Sequence, residues 1–384
     1  MKRYIIILLL LVLLSGCAAA PAEAPATTAP TQTATQPLPT QPPDPIQALI
    51  ASMTPEEKVG QLFMIQPESM GVETDPGAVT PELLTQYPVG GFLITGDNIS
   101  GAEQIRQLTA ALAASKLPPL IATDEEGGMV SRFANKNFLN LPKYKNAATV
   151  GKSGDPDDAL EMGRTIGSYL REFGINMDLA PVADVNTNPK NPVIGKRAFS
   201  GDPETVRTMT AAMASGLREQ GIIPTYKHFP GHGDTAQDSH TELAVSHKTL
   251  EQLRTCEWLP YESLPPEICV MAAHVALPEV TGSMTPASLS PEIIDGFLRG
   301  ELGYTGVVIT DGMEMRAIVN HYGDGEAAIL AIRAGCDIIL QPKDFEAAYQ
   351  AVLAALKDGT LPESRIDQSL TRILTLKQAY GLIP

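Results

Sequence analysis

One segment of the chain gathers titratable side chains at high density. Residues 227–240 read Lys-His-Phe-Pro-Gly-His-Gly-Asp-Thr-Ala-Gln-Asp-Ser-His and contain three histidines, two aspartates and one lysine. The apolar run 221–226 precedes them directly, which predicts a buried strand followed by a glycine-containing loop. In a barrel of parallel strands, catalytic residues lie on the loops at the carboxyl ends of the strands. The segment is therefore the first place to look for a catalytic site.

Asp238 and His240 have the spacing of an acid/base pair. In an extended chain, residues two apart point the same way, so Asp238 can hold one ring nitrogen of His240 while the other transfers a proton. An incidental surface pair is a simpler interpretation. A zinc-type site formed by His228, His232, Asp238 and His240 is another. The intervals do not match compact zinc motifs and the cysteines lie elsewhere, so we predict no metal and no other cofactor.

The first residues are typical of an exported, anchored protein. Lys2 and Arg3 form a short positive region, and residues 5–14 form an apolar run too short to span a bilayer stably. Leu-Ser-Gly-Cys at 14–17 resembles the lipobox of bacterial lipoproteins, whose cysteine is lipidated and becomes the mature N-terminus. We predict a signal peptide over residues 1–16, a lipid on Cys17 and an extracytoplasmic protein anchored to the bacterial cell membrane.

The stretch that follows is almost entirely alanine, proline, threonine and glutamine. Such a composition offers too little apolar bulk to offset the entropy of ordering, and its prolines favour extended conformations. Residues 17–45 are therefore predicted to be a tether. The remaining residues, 46–384, are predicted to form one catalytic domain, within the size range of a decorated barrel.

The charge balance bears on partners. The chain has 28 Lys and Arg against 44 Asp and Glu, a formal net charge of −16. This acidic balance argues against nucleic acid as a partner and against a basic face that binds anionic lipids, so membrane attachment depends on the lipid at Cys17. Cys256, Cys269 and Cys336 are odd in number and are expected to be free thiols. We expect a monomer.

Eight short apolar runs follow the tether, and most are separated by segments with helical periodicity. This alternation predicts an α/β fold, a (β/α)8 TIM-type barrel. A doubly wound open sheet is the alternative, but residues 66–69 after the first run are not a glycine-rich phosphate turn. The runs are 60–65, 89–94, 120–123, 175–181, 222–227, 269–274, 306–310 and 336–341.

Polar residues cluster where those runs end. Any one acid at a strand end can be a helix cap. Five runs that all end in polar residues instead indicate one functional face of a barrel. The residues are Asp124 after the third run, Asp178 and Asp184 around the fourth, Lys227 and His228 at the fifth, His274 at the sixth and Asp311 after the seventh.

A carboxylate at one strand end and an Asp-His pair on a nearby loop are the parts needed for double-displacement glycoside chemistry. Three motifs make the chain recognisable: Thr-Asp-Glu-Glu-Gly-Gly at 123–128, Lys-His-Phe-Pro-Gly-His-Gly at 227–233 with Asp-Ser-His at 238–240, and Val-Ile-Thr-Asp-Gly-Met-Glu-Met at 308–315. Together they closely resemble the β-N-acetylglucosaminidases of glycoside hydrolase family 3. The resemblance extends from Met53 to about Gly381.

The resemblance implies a retaining exo-β-N-acetylglucosaminidase that releases terminal GlcNAc from cell-wall muropeptides or related glycans. It makes Asp311 the nucleophile, His240 the acid/base and Asp238 its orienting partner. The sugar-binding residues that it implies are Asp124, Arg132, Arg197, Lys227 and His228. The sequence leaves open whether Arg132 lies in the site or pairs with Glu125 on a loop.

Other functions remain open at this point. A β-glucosidase or β-xylosidase, or a GlcNAc phosphorylase that uses phosphate in place of water, would share the family. A non-catalytic sugar-binding lipoprotein would share the fold. A histidine acid/base departs from the usual two-carboxylate scheme, although an imidazole paired with an aspartate can work in both directions near neutral pH. Because Gly231 and Gly233 lower the cost of backbone rotation, we expect residues 230–240 to be mobile without ligand.

Overall fold

A computed structural model describes residues 44–239 and 242–384. The predicted signal peptide, the lipidated Cys17, the tether up to residue 43 and the predicted acid/base His240 lie outside these residues. Eight short strands line up where the apolar runs predict them. They are β1 Phe63–Ile65, β2 Gly91–Leu93, β3 Leu120–Thr123, β4 Met177–Asp178, β5 Ile223–Phe229, β6 Cys269–Ala272, β7 Val308–Thr310 and β8 Ile339–Leu340.

The eight strands form a parallel barrel in which each strand pairs with its neighbours in sequence. The first and last strands also pair, with Phe63 opposite Ile339. A parallel bridge between Ile309 and Ile338 links β7 to β8 and closes the ring. The predicted TIM-type barrel is confirmed. An open doubly wound sheet would reverse its strand order part-way, and this sheet does not.

Helices follow the strands and cover the outside of the barrel. Several begin at an aspartate whose side chain accepts a backbone N–H, with proline at the first helical position, as at Asp155 and Asp202. The helices are Pro45–Ser52, Pro55–Gly60, Pro81–Gln86, Ala102–Ala113, Ala147–Val150, Pro156–Glu172, Pro203–Glu219, Leu250–Gln252, Pro278–Thr281, Arg316–Val319, Asp324–Ala334, Phe345–Lys357 and Glu363–Ala379, with π-helical segments at Leu253–Glu257 and Glu292–Glu301.

The first helix bears on the predicted tether. Asp44 caps the helix Pro45–Ser52, so the folded body includes Asp44 and Pro45, which we had assigned to the tether. None of the helices in the described part of the chain is long and apolar enough to cross a membrane.

Single turns of 3-10 helix shape the loops. The one at Gly195–Arg197 carries a residue of the candidate site. The others are Pro67–Met70, Pro76–Ala78, Gly96–Asn98, Asn137–Leu139, Gly151–Ser153, Leu259–Tyr261 and Ala287–Leu289. Two small sheets lie beside the barrel, an antiparallel hairpin of Glu125–Gly127 with Val130–Ser131 and a parallel pair of Ala244–Val245 with Val275–Ala276.

The barrel interior is a packed apolar core. Side chains from the strands, including Met64, Leu120 and Ile223, form one buried cluster. Ile373 and Leu376 of the C-terminal helix join this cluster, so that helix covers one end of the barrel. The carboxyl ends of the strands lie at the opposite end, and the core forms a floor there for the loops that follow.

Candidate active site

A cavity of about 320 Å³ opens at the carboxyl ends of the strands. This is at the lower end of the range for small-ligand sites, which hold roughly 300–1,000 Å³. Its floor is apolar and its walls are polar. Leu93, Leu179, Met271 and Leu340 from the interior core lie beneath, and six residues predicted from the sequence line the cavity: Asp124, Arg132, Arg197, Lys227, His228 and Asp311.

Lys227 lies near the end of β5 and is 2% exposed. Its Nζ is 2.7 Å from Asp124 Oδ1 and 2.7 Å from Glu126 Oε1. Burial lowers the pKa of the lysine, but the two carboxylates outweigh it and raise the pKa overall. Lys227 therefore stays an ammonium although it is buried, and it can donate to a ligand in the cavity.

Glu126 also holds Arg197 by a two-pronged ion pair. Arg197 Nε is 2.8 Å from Glu126 Oε2, and Arg197 Nη2 is 2.7 Å from Oε1. Burial raises the pKa of Glu126, yet Arg197 and Lys227 together lower it well below its usual range. One carboxylate thus fixes two cations of the cavity wall, and the planar guanidinium fork suits such a pairing.

Asp184 orients His228 from behind the cavity. His228 Nδ1 donates to Asp184 Oδ2 at 2.6 Å, and His228 Nε2 accepts from Arg197 Nη2 at 3.4 Å. The other oxygen of Asp184 accepts the backbone N–H of His232 at 2.7 Å. Burial raises the pKa of Asp184, but His228 and His232 together outweigh burial and lower it overall. The aspartate is therefore a fixed anion that sets the orientation of a cavity-lining imidazole.

The structure decides the position of Arg132. Its Nη2 lies 3.5 Å from Asp124 Oδ2, and its side chain is 42% exposed at the cavity rim. Glu125 interacts with the backbone of Arg132 and is not the partner of its guanidinium. Glu125 is buried and accepts the backbone N–H groups of Phe133 and Ala134 and the hydroxyl of Tyr169. Glu125 thus holds the loop in place, whereas Arg132 faces the cavity.

Asp311 comes directly after β7 and is half-buried in the cavity wall. Its Oδ1 accepts the N–H of Gly312 at 2.9 Å. The next turn is held by His274, whose Nε2 donates to the carbonyl oxygen of Gly312 at 3.0 Å and whose Nδ1 is 2.8 Å from Ser288 Oγ. The strand end and the buried histidine therefore fix the position of a carboxylate that faces the cavity.

The loop after β5 reaches the cavity at Ser239. Asp238 precedes it and is half-buried, but Ser239 and not Asp238 lines the cavity. His240 itself lies outside the described residues. The structure therefore brings six predicted residues to one cavity, places Asp238 one residue from its wall and leaves the predicted role of His240 untested.

The glycines of this loop allow close packing. A Cβ on Gly233 would lie 1.9 Å from the carbonyl oxygen of Val185, and Gly231 has φ of +124° with the side chain of Glu257 beside it. Residues 230–233 are buried. We had expected these glycines to loosen the loop. In the structure they let its first part pack tightly, so mobility of the remainder stays a prediction.

Sequence reasoning gave no role in the site to two neighbours of the predicted residues and considered a third, His232, only as a metal ligand. Glu126, Asp184 and His232 each bind a residue that we predicted or the loop that carries one. The doubled acid after Asp124 was a usable signal for Glu126. Asp184 was noted at a strand end without a role, because its partners lie 44 and 48 residues away in sequence.

His228 and His232 have protein partners at their ring nitrogens. Among residues 44–239 and 242–384, no three His, Cys, Asp or Glu side chains are grouped to hold a metal ion. His228 binds Asp184 and Arg197, and both ring nitrogens of His232 contact hydroxyl oxygens.

Known proteins place the chain in a family. It matches the model for the glycosyl hydrolase family 3 N terminal domain over residues 54–376. The chain belongs to glycosyl hydrolase family 3. The family recognised from the sequence motifs is thereby confirmed, and so is the expectation of a glycoside hydrolase.

Three similar proteins give the degree of similarity. Beta-hexosaminidase LpqI of Mycobacterium tuberculosis is 35% identical over 341 residues, which cover 85% of this chain and 84% of LpqI. Beta-hexosaminidase A of Pseudoalteromonas piscicida is 35% identical over 327 residues, and the chain spans 54% of its length. The solved structure of a glycoside hydrolase family 3 beta-N-acetylglucosaminidase from Paenibacillus sp. str. FPU-7 has a TM-score of 0.80 at 39% identity, covering 86% of this chain and 63% of that one.

Proposed function

We propose that this protein is a retaining exo-β-N-acetylhexosaminidase that releases terminal β-linked GlcNAc. The observation that carries the proposal is the composition of the cavity. Asp311 lines it together with the hydrogen-bond donors Arg197 and Lys227 and the acceptor Asp124. Relatives of similar length that are named beta-hexosaminidases support the same reaction class. A pyranose needs such a mixed set, because each of its hydroxyls both donates and accepts.

In the proposed reaction, Arg197 and Lys227 donate to the hydroxyls of the terminal sugar and Asp124 accepts from them, while His228 accepts from Arg197 and keeps that guanidinium in place. Asp311 attacks the anomeric carbon, while His240, oriented by Asp238, protonates the departing oxygen. The glycosyl-enzyme is then hydrolysed by water whose proton returns to His240, and Asp311 leaves as a carboxylate. Two inversions at one carbon give net retention.

Three other carboxylates line the cavity and could in principle act as the proton donor: Asp124, Glu126 and Glu314. Asp124 and Glu126 both bind Lys227, and the lowered pKa of Glu126 makes it a poor acid. Glu314 also lines the cavity, three residues after Asp311 and exposed to solvent. The proposal assigns the proton transfer to His240, and Glu314 is the rival that an experiment must separate from it.

The nucleophile is tested with residues 44–384 and 4-nitrophenyl β-N-acetylglucosaminide. Asp311→Asn should lower kcat by about 10⁴-fold or more while the melting temperature stays the same. A slow-turnover fluorosugar should label Asp311 in the wild type, and proton NMR should show the β-anomer of GlcNAc as the first product. A label on another acid, or an α-anomer formed first, contradicts the assignment.

The acid/base is tested by comparing His240→Ala with Glu314→Gln. Loss of the acid should harm substrates with poor leaving groups far more than dinitrophenyl glycosides, which depart without protonation. Azide should then accelerate the second half-reaction of His240→Ala, and Glu314→Gln should show neither effect. If the two variants exchange behaviour, Glu314 is the acid/base.

Substrate choice is tested on matched glycosides with and without the 2-acetamido group. A strong preference for the acetamido sugar supports the proposal, and a preference for glucosides or xylosides sinks it. Absence of turnover, together with sugar binding by calorimetry, would indicate a binding protein of the same fold. Release of GlcNAc from isolated muropeptides, measured in water and in phosphate buffer, tests the proposed cell-wall substrate and the acceptor.

We also propose that the protein is a lipoprotein of the bacterial cell membrane. The support is the residue order at 2–17, a short positive region, an apolar run and Leu-Ser-Gly-Cys. The wild type from its native host should partition into detergent, whereas the Cys17→Ala variant should not. Equal partitioning of the two removes this part of the proposal.

A further inference from the structure

His232 is buried and hydrogen-bonded at every polar atom. Its N–H donates to Asp184 Oδ1 at 2.7 Å, and its carbonyl oxygen accepts from Asn191 Nδ2 at 2.7 Å. Its Nδ1 is 2.7 Å from Thr235 Oγ1 and its Nε2 is 2.9 Å from Ser239 Oγ. Burial, followed by the neighbouring His228, lowers the pKa of His232. A neutral ring has one donor and one acceptor nitrogen, and the two hydroxyls can take the complementary roles.

The two hydroxyls that His232 contacts belong to Thr235 and Ser239, which are buried residues of the loop that follows β5. Within residues 234–239, Thr235 and Ser239 are buried, whereas Ala236 is exposed and Gln237 and Asp238 are half-buried. This part of the loop therefore has no buried apolar side chain to hold it. Its attachment to the barrel runs through polar contacts, and two of these meet on a single imidazole.

We propose that His232, Thr235 and Ser239 form a clasp that positions the segment from Asp238 to His240 for proton transfer. Ser239 lies between those two residues in sequence, so holding its side chain restrains the backbone segment that carries both. The clasp is tied to the scaffold through Asp184, which also orients His228 in the cavity wall. The inference rests on the proposed function for the roles of Asp238 and His240.

Ser239 and His232 both line the cavity, and the clasp makes them positioning residues that act on the reaction through the acid/base. A displacement of about 1 Å in a reacting group can cost about 100-fold in rate. Ser239→Ala removes the hydroxyl and keeps the small side chain. It should lower kcat/KM for 4-nitrophenyl and poorer leaving groups by about 10–100-fold, but by less than about threefold for a dinitrophenyl glycoside.

Two variants control for general damage. Ser369→Ala also removes a buried hydroxyl, which donates to Asp337 Oδ1 at 2.6 Å near the amino end of β8. It should leave the dependence on leaving group unchanged. Thr235→Val should steepen the dependence of kcat/KM on the leaving group less than Ser239→Ala does. Thr235→Ser keeps the hydroxyl and should show the wild-type dependence. Equal losses of Ser239→Ala on good and poor leaving groups overturn the clasp.

Amide hydrogen exchange tests the clasp without activity. Peptides that cover residues 234–245 should exchange about tenfold faster in Ser239→Ala than in the wild type, and Ser369→Ala should match the wild type there. If the wild type turns over no aryl glycoside, the proposed function fails and the exchange result alone decides the clasp. Unchanged exchange in Ser239→Ala overturns it whatever the activity.

Discussion

Lys227 and Lys377 are both buried, but they lie at opposite ends of the barrel and have different partners. Lys227 is 2% exposed and binds two carboxylates, those of Asp124 and Glu126. Lys377 is 0% exposed and donates to the side-chain oxygen of Gln61 at 2.8 Å. Burial lowers the pKa of Lys377 to about 7, whereas the carboxylates raise the pKa of Lys227 against the effect of burial.

The difference follows from what each end of the barrel contains. Lys227 faces a cavity whose other walls are polar, and its anionic partners keep it charged beside that cavity. Lys377 belongs to the helix that covers the amino ends of the strands, next to the apolar Leu376. Gln61 precedes β1, and its amide nitrogen donates to the carbonyl oxygens of Pro88 and Val89, so its oxygen is directed toward the lysine. Lys227 therefore keeps its positive charge beside the cavity, whereas Lys377 at the closed end is close to half-deprotonated at neutral pH.

The largest effect is expected on activity. Lys227→Met removes a donor to the proposed sugar and leaves Asp124 and Glu126 with fewer cations, so kcat/KM on an aryl GlcNAc substrate should fall by about 10³-fold. Lys377→Met should change kcat/KM by less than about twofold, because Lys377 does not line the cavity and its helix lies at the opposite end of the barrel. Steady-state kinetics of the two variants at pH 7 check this. Similar losses in both would remove the functional contrast between the two ends.

A smaller effect is expected on the free energy of unfolding when a buried carboxylate of the cavity wall is removed. Glu126→Gln leaves Lys227 and Arg197 buried with one carboxylate fewer, and the free energy of unfolding should fall by about 3 kcal/mol. Glu363→Gln is a matched control, because Lys58 also binds two carboxylates, Glu363 and Asp367, but Glu363 is 64% exposed. That change should cost less than about 1 kcal/mol. Urea denaturation of both variants measures the difference, and equal costs would show that burial of Glu126 is unimportant.

The fold was largely predictable because buried parallel strands have a simple pattern. Strands that are covered on both faces read as continuous apolar runs, as residues 307–309 and 338–340 do. Each of the eight predicted runs overlaps a barrel strand. The predicted limits are less accurate. The run 175–181 contains only the two-residue strand Met177–Asp178, because strand limits depend on pairing with neighbours and not on local composition.

The candidate site was predictable in its strand-end residues and not in their partners. Asp124, Lys227 and Asp311 stand at the ends of apolar runs, where a barrel places functional groups. Glu126 acts through Arg197, which lies 71 residues further along the chain, and no local pattern reports such a contact. Lys377 occupies a helix position that reads as an ordinary surface lysine. Its burial depends on how the C-terminal helix packs against the barrel.

Lys377→Met should stabilise the protein at pH 6, by about 1–2 kcal/mol. A buried ammonium with a neutral partner is costly, and methionine has a similar shape with no charge. The loss of the bond to Gln61 opposes this gain, since an unpaired buried oxygen also carries a cost. Thermal and urea unfolding at pH 6 measure the net effect. A destabilised variant would mean that the bond between Lys377 and Gln61 outweighs the burial of charge.

The pH dependence of that gain is the finest test of the comparison. The pKa of Lys377 is about 7 in the folded protein and about 10.4 when the chain is unfolded. Between these values the unfolded chain binds the additional proton, so the contribution of Lys377 to stability rises with pH, with a limiting slope of about 1.4 kcal/mol per unit. Below pH 7 both states are protonated, and the full cost of burying the charge is present.

The advantage of Lys377→Met should therefore be constant below about pH 6 and should shrink from pH 7 to 10. Lys227 has a raised pKa, so the alkaline loss of its contribution begins only above its unfolded value and lies outside this window. A difference between wild type and Lys377→Met that does not change from pH 6 to 9.5 would show that Lys377 stays charged, and the two ends of the barrel would then treat a buried lysine alike.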